Sequence, residues 1–156
     1  MMFSYGFRLL DFTPNAMTCM AVFAHLCENF VGVAPNVDLF RHFFVPRIED
    51  KSLSGSVTWI PRAKTKGQYL VGQLHLKWDE WRAEWCWILE KDFPQFCLPR
   101  TVRVQCGKNW SDLGTTDEKL RPALNRIARL KEARLTVEMV GADFLRRCIA
   151  PLQKRE

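Results

Sequence analysis

The chain has 156 residues, of which 47% are hydrophobic, and it carries a net charge of +6. This length is typical of a single domain with a real apolar core. No apolar run reaches the ~18 residues of a membrane-spanning helix, and the first residues lack the pattern of a secretory signal. We therefore expect an intracellular protein, with nucleus and cytoplasm both left open.

The positive charge is concentrated toward the C-terminal end. Residues 101–156 carry twelve basic and seven acidic side chains, whereas residues 1–52 carry four and five. Such an excess can attract nucleic acid. Solvated basic helices explain it as well, and we favour that explanation.

The six cysteines are scattered along the chain. In an intracellular protein this distribution predicts buried free thiols rather than disulfides. The residues concerned are Cys19, Cys27, Cys86, Cys97, Cys106 and Cys148.

The first apolar stretch after residue 10 predicts two helices. Thr13 can cap the first helix, and Pro14 suits its first turn because the missing N–H would have no partner there. Gly32 and Pro35 end it, and a second apolar helix follows over residues 36–44. A helical projection places the polar side chains in one sector and predicts burial of the remaining arc. The polar sector holds Asn15, Thr18, His25, Glu28 and Asn29.

A small antiparallel sheet is expected in the middle of the chain. Residues 46–56 are polar and predict a loop. Residues 56–60 are β-prone, and residues 69–76 alternate apolar and polar side chains. The simplest pairing is a hairpin through a turn at residues 64–67. The aromatic residues 78–89 then predict a short helix that leads into another strand.

Two more helices are expected at the C-terminal end. Residue 116 or 117 caps the first, whose apolar stripe is formed by Leu120, Leu124, Ile127 and Leu130. The second runs over residues 136–149 and ends at Pro151. Its predicted packing residues are Val137, Val140, Phe144, Leu145 and Ile149.

Together these elements predict an α+β fold that is predominantly helical. It has an N-terminal helix pair, a small antiparallel sheet in the middle and a C-terminal helical hairpin. We expect residues 1–110 to form one folded unit. Residues 111–156 are expected to form a basic helical segment that packs on this unit or extends from it.

No motif in the sequence identifies a catalytic, metal or cofactor site. The cysteines lack the paired spacing of zinc sites, and the glycines form no phosphate-binding loop. His25 belongs to the polar sector, which predicts a solvent-facing side chain. His42, beside Phe43, predicts a hydrogen-bonded histidine at the edge of the core. A Cys–His pair assembled in space stays open, because local spacing does not reveal one.

One segment could still carry nucleic-acid chemistry. Asp79, Glu80 and Glu84 form the only acidic group that could converge on the divalent cations of a nuclease. Indole rings in the same segment could stack on bases. We favour solvated surface charge for the acids and core packing for the rings. The rings belong to Trp78, Trp81 and Trp85.

Several motifs occur together along the chain. The N-terminal ones are Thr13-Pro14-Asn15, Leu26-Cys27-Glu28, Phe30-Val31-Gly32 and Phe40-Arg41-His42-Phe43-Phe44. Trp85-Cys86-Trp87-Ile88 follows in the middle, and Phe144-Leu145-Arg146-Arg147-Cys148 begins the last motif, which runs to residue 153. This set resembles the plant domain named "transposase (putative), gypsy type". Cys86 departs from the pattern, since it stands where an aromatic residue is expected.

The resemblance implies an origin in a mobile element and supplies no catalytic residues. We expect a protein that is not an enzyme and that has no cofactor and no small-molecule substrate. The first functional hypothesis is a gag-like domain that acts through protein contact or self-association. The second is RNA or DNA binding, and a nuclease or transposase comes third. The candidate nucleic-acid contacts are Arg121, Arg126, Arg129, Arg134, Arg146 and Arg147.

The resemblance also implies a folded segment upstream of Met1. A helix apolar on most faces would then leave one face uncovered. We therefore expect an exposed apolar patch beside the first helix, and a product that associates or dissolves poorly.

Overall fold

The computed structural model describes Phe7 and residues 11–48, 57–72 and 118–153. This part of the chain is predominantly helical with one antiparallel strand pair, which confirms the predicted α+β class. The helices are α1 (Pro14–Leu26), α2 (Val37–Phe43), α3 (Arg121–Glu132), α4 (Val137–Phe144) and α5 (Ala150–Gln153). The strands are β1 (Phe44–Ile48) and β2 (Val57–Pro61), and short 3-10 helices span Lys66–Gln68 and Glu118–Leu120.

Several sequence predictions lie outside the described residues. They concern the elements and side chains of residues 73–117, including the acidic cluster of Asp79, Glu80 and Glu84 and the neighbouring tryptophans.

Helix α1 begins as the sequence predicts. Thr13 has extended backbone angles, and its Oγ1 accepts a hydrogen bond from the N–H of Ala16 at 3.1 Å. This bond satisfies one of the N–H groups that an α-helix leaves without a partner at its start. Pro14 occupies the first turn, where its missing N–H has no cost.

Both long helical runs widen into π-helical segments. Cys27–Val31, the first π turn, continues α1, and Leu145–Ile149, the second π turn, joins α4 to α5. Gly32 ends the first π turn with a positive φ of 73°. Its N–H and that of Val33 both reach the carbonyl of Cys27. Glycine suits this left-handed position because it has no Cβ.

Helix α2 leads directly into the sheet. Its cap is Asn36, whose Oδ1 accepts from the N–H groups of Asp38 at 2.7 Å and Leu39 at 3.2 Å. Strands β1 and β2 then pair antiparallel, with Pro46 opposite Trp59. The predicted second helix over residues 36–44 is confirmed, with Asn36 and Phe44 as its caps. The predicted loop from residue 46 is wrong over residues 46–48, which belong to β1.

The strand pairing differs from the predicted hairpin. Strand β2 pairs with β1, and among the described residues it has no ladder with residues 69–72. The interpretation failed because Pro46 is typical of a loop, although proline also occurs in edge strands, and in the described part of the chain β1 pairs with β2 alone. Val71 instead bridges Thr136 in parallel, and it accepts a hydrogen bond from the N–H of Val137 at 3.0 Å.

One cluster of buried side chains joins the described elements. Phe40 is central to it, with ring centroids 5.0 Å from Phe23 and 4.9 Å from Trp59, both edge-on. Edge-to-face contacts of this kind are favourable beyond the area they bury. Helices α3 and α4 add Ala123, Ile127, Val137 and Val140 to the same cluster.

The two C-terminal helices confirm most of the predicted packing. Leu120 and Ile127 are buried, and Leu124 and Leu130 are half-buried, so the apolar stripe of α3 is confirmed. Leu145 is a correction, because it is 38% exposed.

Pro151 does not end the last helix, which runs on to Gln153. Pro151 lies two residues after the second π turn, where the regular α-helical hydrogen bonding of the run is already interrupted.

The expected uncovered face of the first helix is absent. All thirteen residues of α1 are described, and each is buried or half-buried. Its residues Ala16, Cys19 and Val22 line a cleft of about 730 Å³, and Trp59 and Leu70 line the same cleft from the other side. Helix α4 and strand β2 pack against α1, so the expectation of an uncovered face on α1 itself is wrong. The cleft beside the helix is apolar and open, and Val71 on its rim is 62% exposed.

Candidate functional site: the His25 network

The two π turns meet at one histidine. His25 lies in the last turn of α1 and is only 5% exposed, between the rings of Phe30 and Phe144. Its Nε2 lies 2.9 Å from Oδ2 of Asp143, and its Nδ1 lies 3.0 Å from Nδ2 of Asn29. The prediction of a solvent-facing His25 is wrong. A projection of one helix cannot show that a second helix covers its polar sector.

The hydrogen-bond partners fix the tautomer of this histidine. An ionised carboxylate only accepts, so Nε2 of His25 carries the proton and donates to Asp143. The lone pair on Nδ1 then accepts from the side-chain amide of Asn29. The same amide lies 3.3 Å from the carbonyl oxygen of His25. Nδ1 is therefore the nitrogen whose lone pair accepts in this tautomer.

Asp143 receives further donors from the second π turn. Arg146 donates from Nη2 to Oδ1 at 2.5 Å, and Arg147 donates from Nε to Oδ1 at 3.0 Å. The hydrogen bonds from Arg146, His25 and Arg147 hold the pKa of the Asp143 carboxyl well below its usual range. Charge-assisted bonds stabilise the ionised form of a carboxylate. Asp143 therefore stays ionised at neutral pH.

A thiol completes the cluster. Sγ of Cys148 lies 3.9 Å from Nδ1 of His25, on the basic side of the ring. We call the set His25, Asn29, Asp143, Arg146, Arg147 and Cys148 the His25 network. Pi-helical turns occur frequently at functional sites, and here residues of two such turns meet around one side chain.

The sequence contains a partial signal for this network. Asp143 precedes Arg146 and Arg147 by three and four residues, a spacing that predicts ion pairs along a helix. Nothing in the local sequence connects them to His25, which is 118 residues from Asp143 along the chain.

The other described thiols have different surroundings. Cys19, Cys27 and Cys148 are all free thiols, as predicted, but only Cys27 is fully buried and Cys148 is exposed. Burial raises the pKa of the Cys19 and Cys27 thiols to about 12 each, and the charge of Glu28 adds to the effect on Cys27. The pKa of Tyr69 is also raised, first by burial and then by these two thiols.

His42 confirms its prediction. It is 6% exposed, and its Nε2 lies 2.8 Å from Oε1 of Gln68. The backbone carbonyl of His42 accepts a hydrogen bond from the hydroxyl of Thr65 at 2.5 Å. These contacts tie α2 to the turn that follows β2, which is a structural role.

The six predicted arginine contacts lie in three places. Arg121, Arg126 and Arg129 project from the exposed face of α3, and Arg134 follows the end of that helix. Arg126 also donates from Nε to the carbonyl of Phe30 at 3.3 Å. The remaining two, in the second π turn, both bind Asp143. All six are exposed, but the structure unites only the last two around a common partner.

Two further properties concern the described residues only. No three His, Cys, Asp or Glu side chains among them are grouped so that they could hold a metal ion. No helix within the described ranges combines the length and the apolar content needed to cross a membrane.

Comparison with known protein families gives a match over the N-terminal part of the chain. Residues 1–48 match the model of a family described as "Putative gypsy type transposon". The matched segment contains α1, α2 and β1, and the match confirms the resemblance drawn from the N-terminal motifs. No curated protein and no solved structure matches the chain.

Proposed function

We propose that this chain, related over residues 1–48 to gypsy type transposons, is a non-catalytic domain that associates with a second copy of itself. One observation carries the proposal. Met139, Leu145 and Leu152 are 55%, 38% and 57% exposed along the continuous helical run of α4, the second π turn and α5. We assign the association surface to these side chains, because burying their exposed apolar area against a partner is favourable.

The inner side of the same run supports this arrangement. Val137 and Val140 are buried in the core, so the N-terminal part of the run is held firmly. From Leu145 to Gln153 no residue is buried. The run therefore presents a fixed helix that starts in the core and continues on the surface, which suits pairing with a partner helix.

The test measures the average molecular mass of the protein in solution as a function of its concentration. Light scattering of the wild type from micromolar to near-millimolar concentration should show a rising average mass. The double variant Leu145→Lys/Leu152→Lys should weaken association by about tenfold or more, because exposed apolar contacts at an interface are replaced by charge. Val33→Lys makes the same kind of change at an exposed apolar residue in the loop after α1, and it should have no effect. A monomer across the whole range would refute the proposal.

Nucleic-acid binding is the second candidate function. Residues 118–153 hold eight basic and four acidic side chains, and three arginines share the exposed face of α3. Phosphate contacts by such side chains release counterions and give a steep dependence of affinity on salt. This candidate uses α3, whereas self-association uses the helical run after it.

Binding of RNA and DNA oligonucleotides at low and moderate salt tests this candidate. Arg121→Gln/Arg129→Gln should lower the slope of log affinity against log salt by roughly two, one for each lost phosphate contact. The matched control is Arg47→Gln/Lys64→Gln, which removes the same charge from exposed positions outside α3. Equal changes of the slope in the two double variants would show that net charge alone attracts the nucleic acid. Absence of binding at low salt would refute this candidate function.

A further inference from the structure

The exposed thiol of Cys148 stands opposite a base that is already oriented. Nδ1 of His25 faces Sγ at 3.9 Å, and Nε2 of the same ring is held at 2.9 Å by Asp143. A nucleophile, a base and a residue that orients the base therefore follow one another in space. This order is the general arrangement that activates a weak nucleophile. The proposed association surface does not require it.

We propose that Cys148 is a reactive thiol, with His25 as its base and Asp143 as its positioning residue, and that it is modified by hydroperoxides. The reaction is stoichiometric and leaves the non-catalytic role of the chain unchanged. Cys148 is exposed on a helix, so small reagents reach it without a binding cleft. Small oxidants are the reagents that accessible cysteines of this kind meet in cells.

The chemical step balances with the groups present. Nδ1 of His25 takes the proton from the Cys148 thiol, and Sγ attacks one oxygen of the peroxide. An S–O bond forms while the O–O bond breaks. The leaving oxygen then takes a proton from the imidazolium, so hydrogen peroxide yields a sulfenic acid and water. Sulfur is oxidised and the peroxide is reduced, and no further reactant is needed.

Asn29 limits this step in the resting arrangement. Its amide donates to Nδ1 at 3.0 Å and so competes with the thiol for the basic lone pair. Asn29 is exposed, and a rotation of its amide presents Oδ1 to the protonated Nδ1 instead. The wild-type rate therefore includes the cost of displacing this hydrogen bond.

The experiment follows sulfenic acid formation at each cysteine. The folded protein is treated with hydrogen peroxide at pH 7 in the presence of dimedone, and peptide mass spectrometry assigns the adducts. Cys148 should react about tenfold or more faster than N-acetylcysteine, the size of effect expected from a positioned base. Cys27 serves as the internal control, because it is fully buried and its thiol pKa is raised to about 12.

Variants separate a reactive site from a merely structural network. His25→Gln and Asp143→Asn should lower the Cys148 rate toward that of N-acetylcysteine, with the same pH profile as that free thiol. Asn29→Ala should raise the rate severalfold, because it frees Nδ1. A structural network predicts the opposite for Asn29→Ala, since it loses a bond that holds the ring. Circular dichroism checks the fold of each variant, and Asp143→Asn and Asn29→Ala keep the test valid if His25→Gln unfolds.

Two outcomes would overturn the proposal. The first is a Cys148 rate in the wild type no higher than that of N-acetylcysteine. The second is an unchanged rate and pH profile in a folded Asp143→Asn variant together with a lower rate in Asn29→Ala.

Discussion

Asp143 accepts hydrogen bonds from three side chains that lie on two helical runs. Its carboxyl has a lowered pKa in the folded protein, whereas an unfolded aspartate has a pKa of about 3.9. A lowered pKa means that ionised Asp143 stabilises the fold at pH values above the unfolded pKa. This contribution is lost as the pH falls from about 4 toward the folded pKa.

The residue-scale prediction concerns Asp143→Asn. The variant should be less stable than the wild type at pH 7, because it cannot accept the charge-assisted bonds of Arg146 and Arg147. The difference should shrink when the pH falls below about 4, because the aspartate of the unfolded wild type is then protonated while the folded carboxylate is still ionised. The urea unfolding midpoints of both proteins at pH 7 and pH 3 measure this difference in stability. A difference of the same size at both values would contradict the assignment.

At the scale of one element, helix α3 ends in a left-handed turn at an arginine. Arg134 has a positive φ of 62°, and the N–H of Leu135 after it donates to the carbonyl of Leu130 at 3.0 Å. This is the left-handed helix ending that normally uses glycine. An arginine at this position costs conformational energy, although its side chain is exposed.

The prediction for this element uses Arg134→Gly. Glycine adopts a positive φ without strain, so the free energy of unfolding should rise by about 1 kcal/mol. Arg129→Gly is the matched control, because it removes the same charge inside the exposed face of α3. It should lower stability by about 1 kcal/mol through loss of helix propensity. Thermal and urea unfolding measure the stability of both variants. A loss of stability in Arg134→Gly as well as in Arg129→Gly would show that the ending of α3 is not strained.

The fold could be predicted best where its determinants are local. Thr13 and Asn36 cap their helices as their types and positions indicate, and the apolar stripe of α3 follows from spacing alone. Strand β1 was missed because Pro46 is a poor local signal for a strand. The π turns have no signal in the residues that form them.

The candidate site could be predicted least. His25 was assigned to solvent because its own helix places it among polar residues, while its partner Asp143 belongs to α4. Side chains so far apart in sequence meet only after the fold forms. For α3 the helical spacing places Arg121, Arg126 and Arg129 opposite the apolar stripe, and the structure shows all three exposed. Their role as nucleic-acid contacts stays a prediction.

At the scale of the whole molecule, α3 and α4 share one core with the N-terminal helices. Ile127 of α3 is fully buried in the same cluster as Phe23 and Phe40. Val140 of α4 belongs to it as well. We therefore expect the basic C-terminal segment to unfold together with the N-terminal part.

Ile127→Ala tests this expectation. Removing a fully buried branched side chain should lower the free energy of unfolding by about 2–5 kcal/mol. Helical circular dichroism and tryptophan fluorescence should still report one common transition, shifted to lower urea. Asn125→Ala, an exposed change in the same helix, should shift it by less than about 0.5 kcal/mol. Two separate transitions would contradict a shared core.

The covering of α1 has a consequence for how the protein is made. The residue that reaches His25 from α4 is synthesised 118 residues later. At ribosomal speeds of about 5–20 residues per second, this delay lasts roughly 6–24 s. During that interval the side of α1 that later packs on α4 is open to chaperones or to neighbouring nascent chains. Transient association is therefore expected during synthesis, even though the finished helix has no exposed residue.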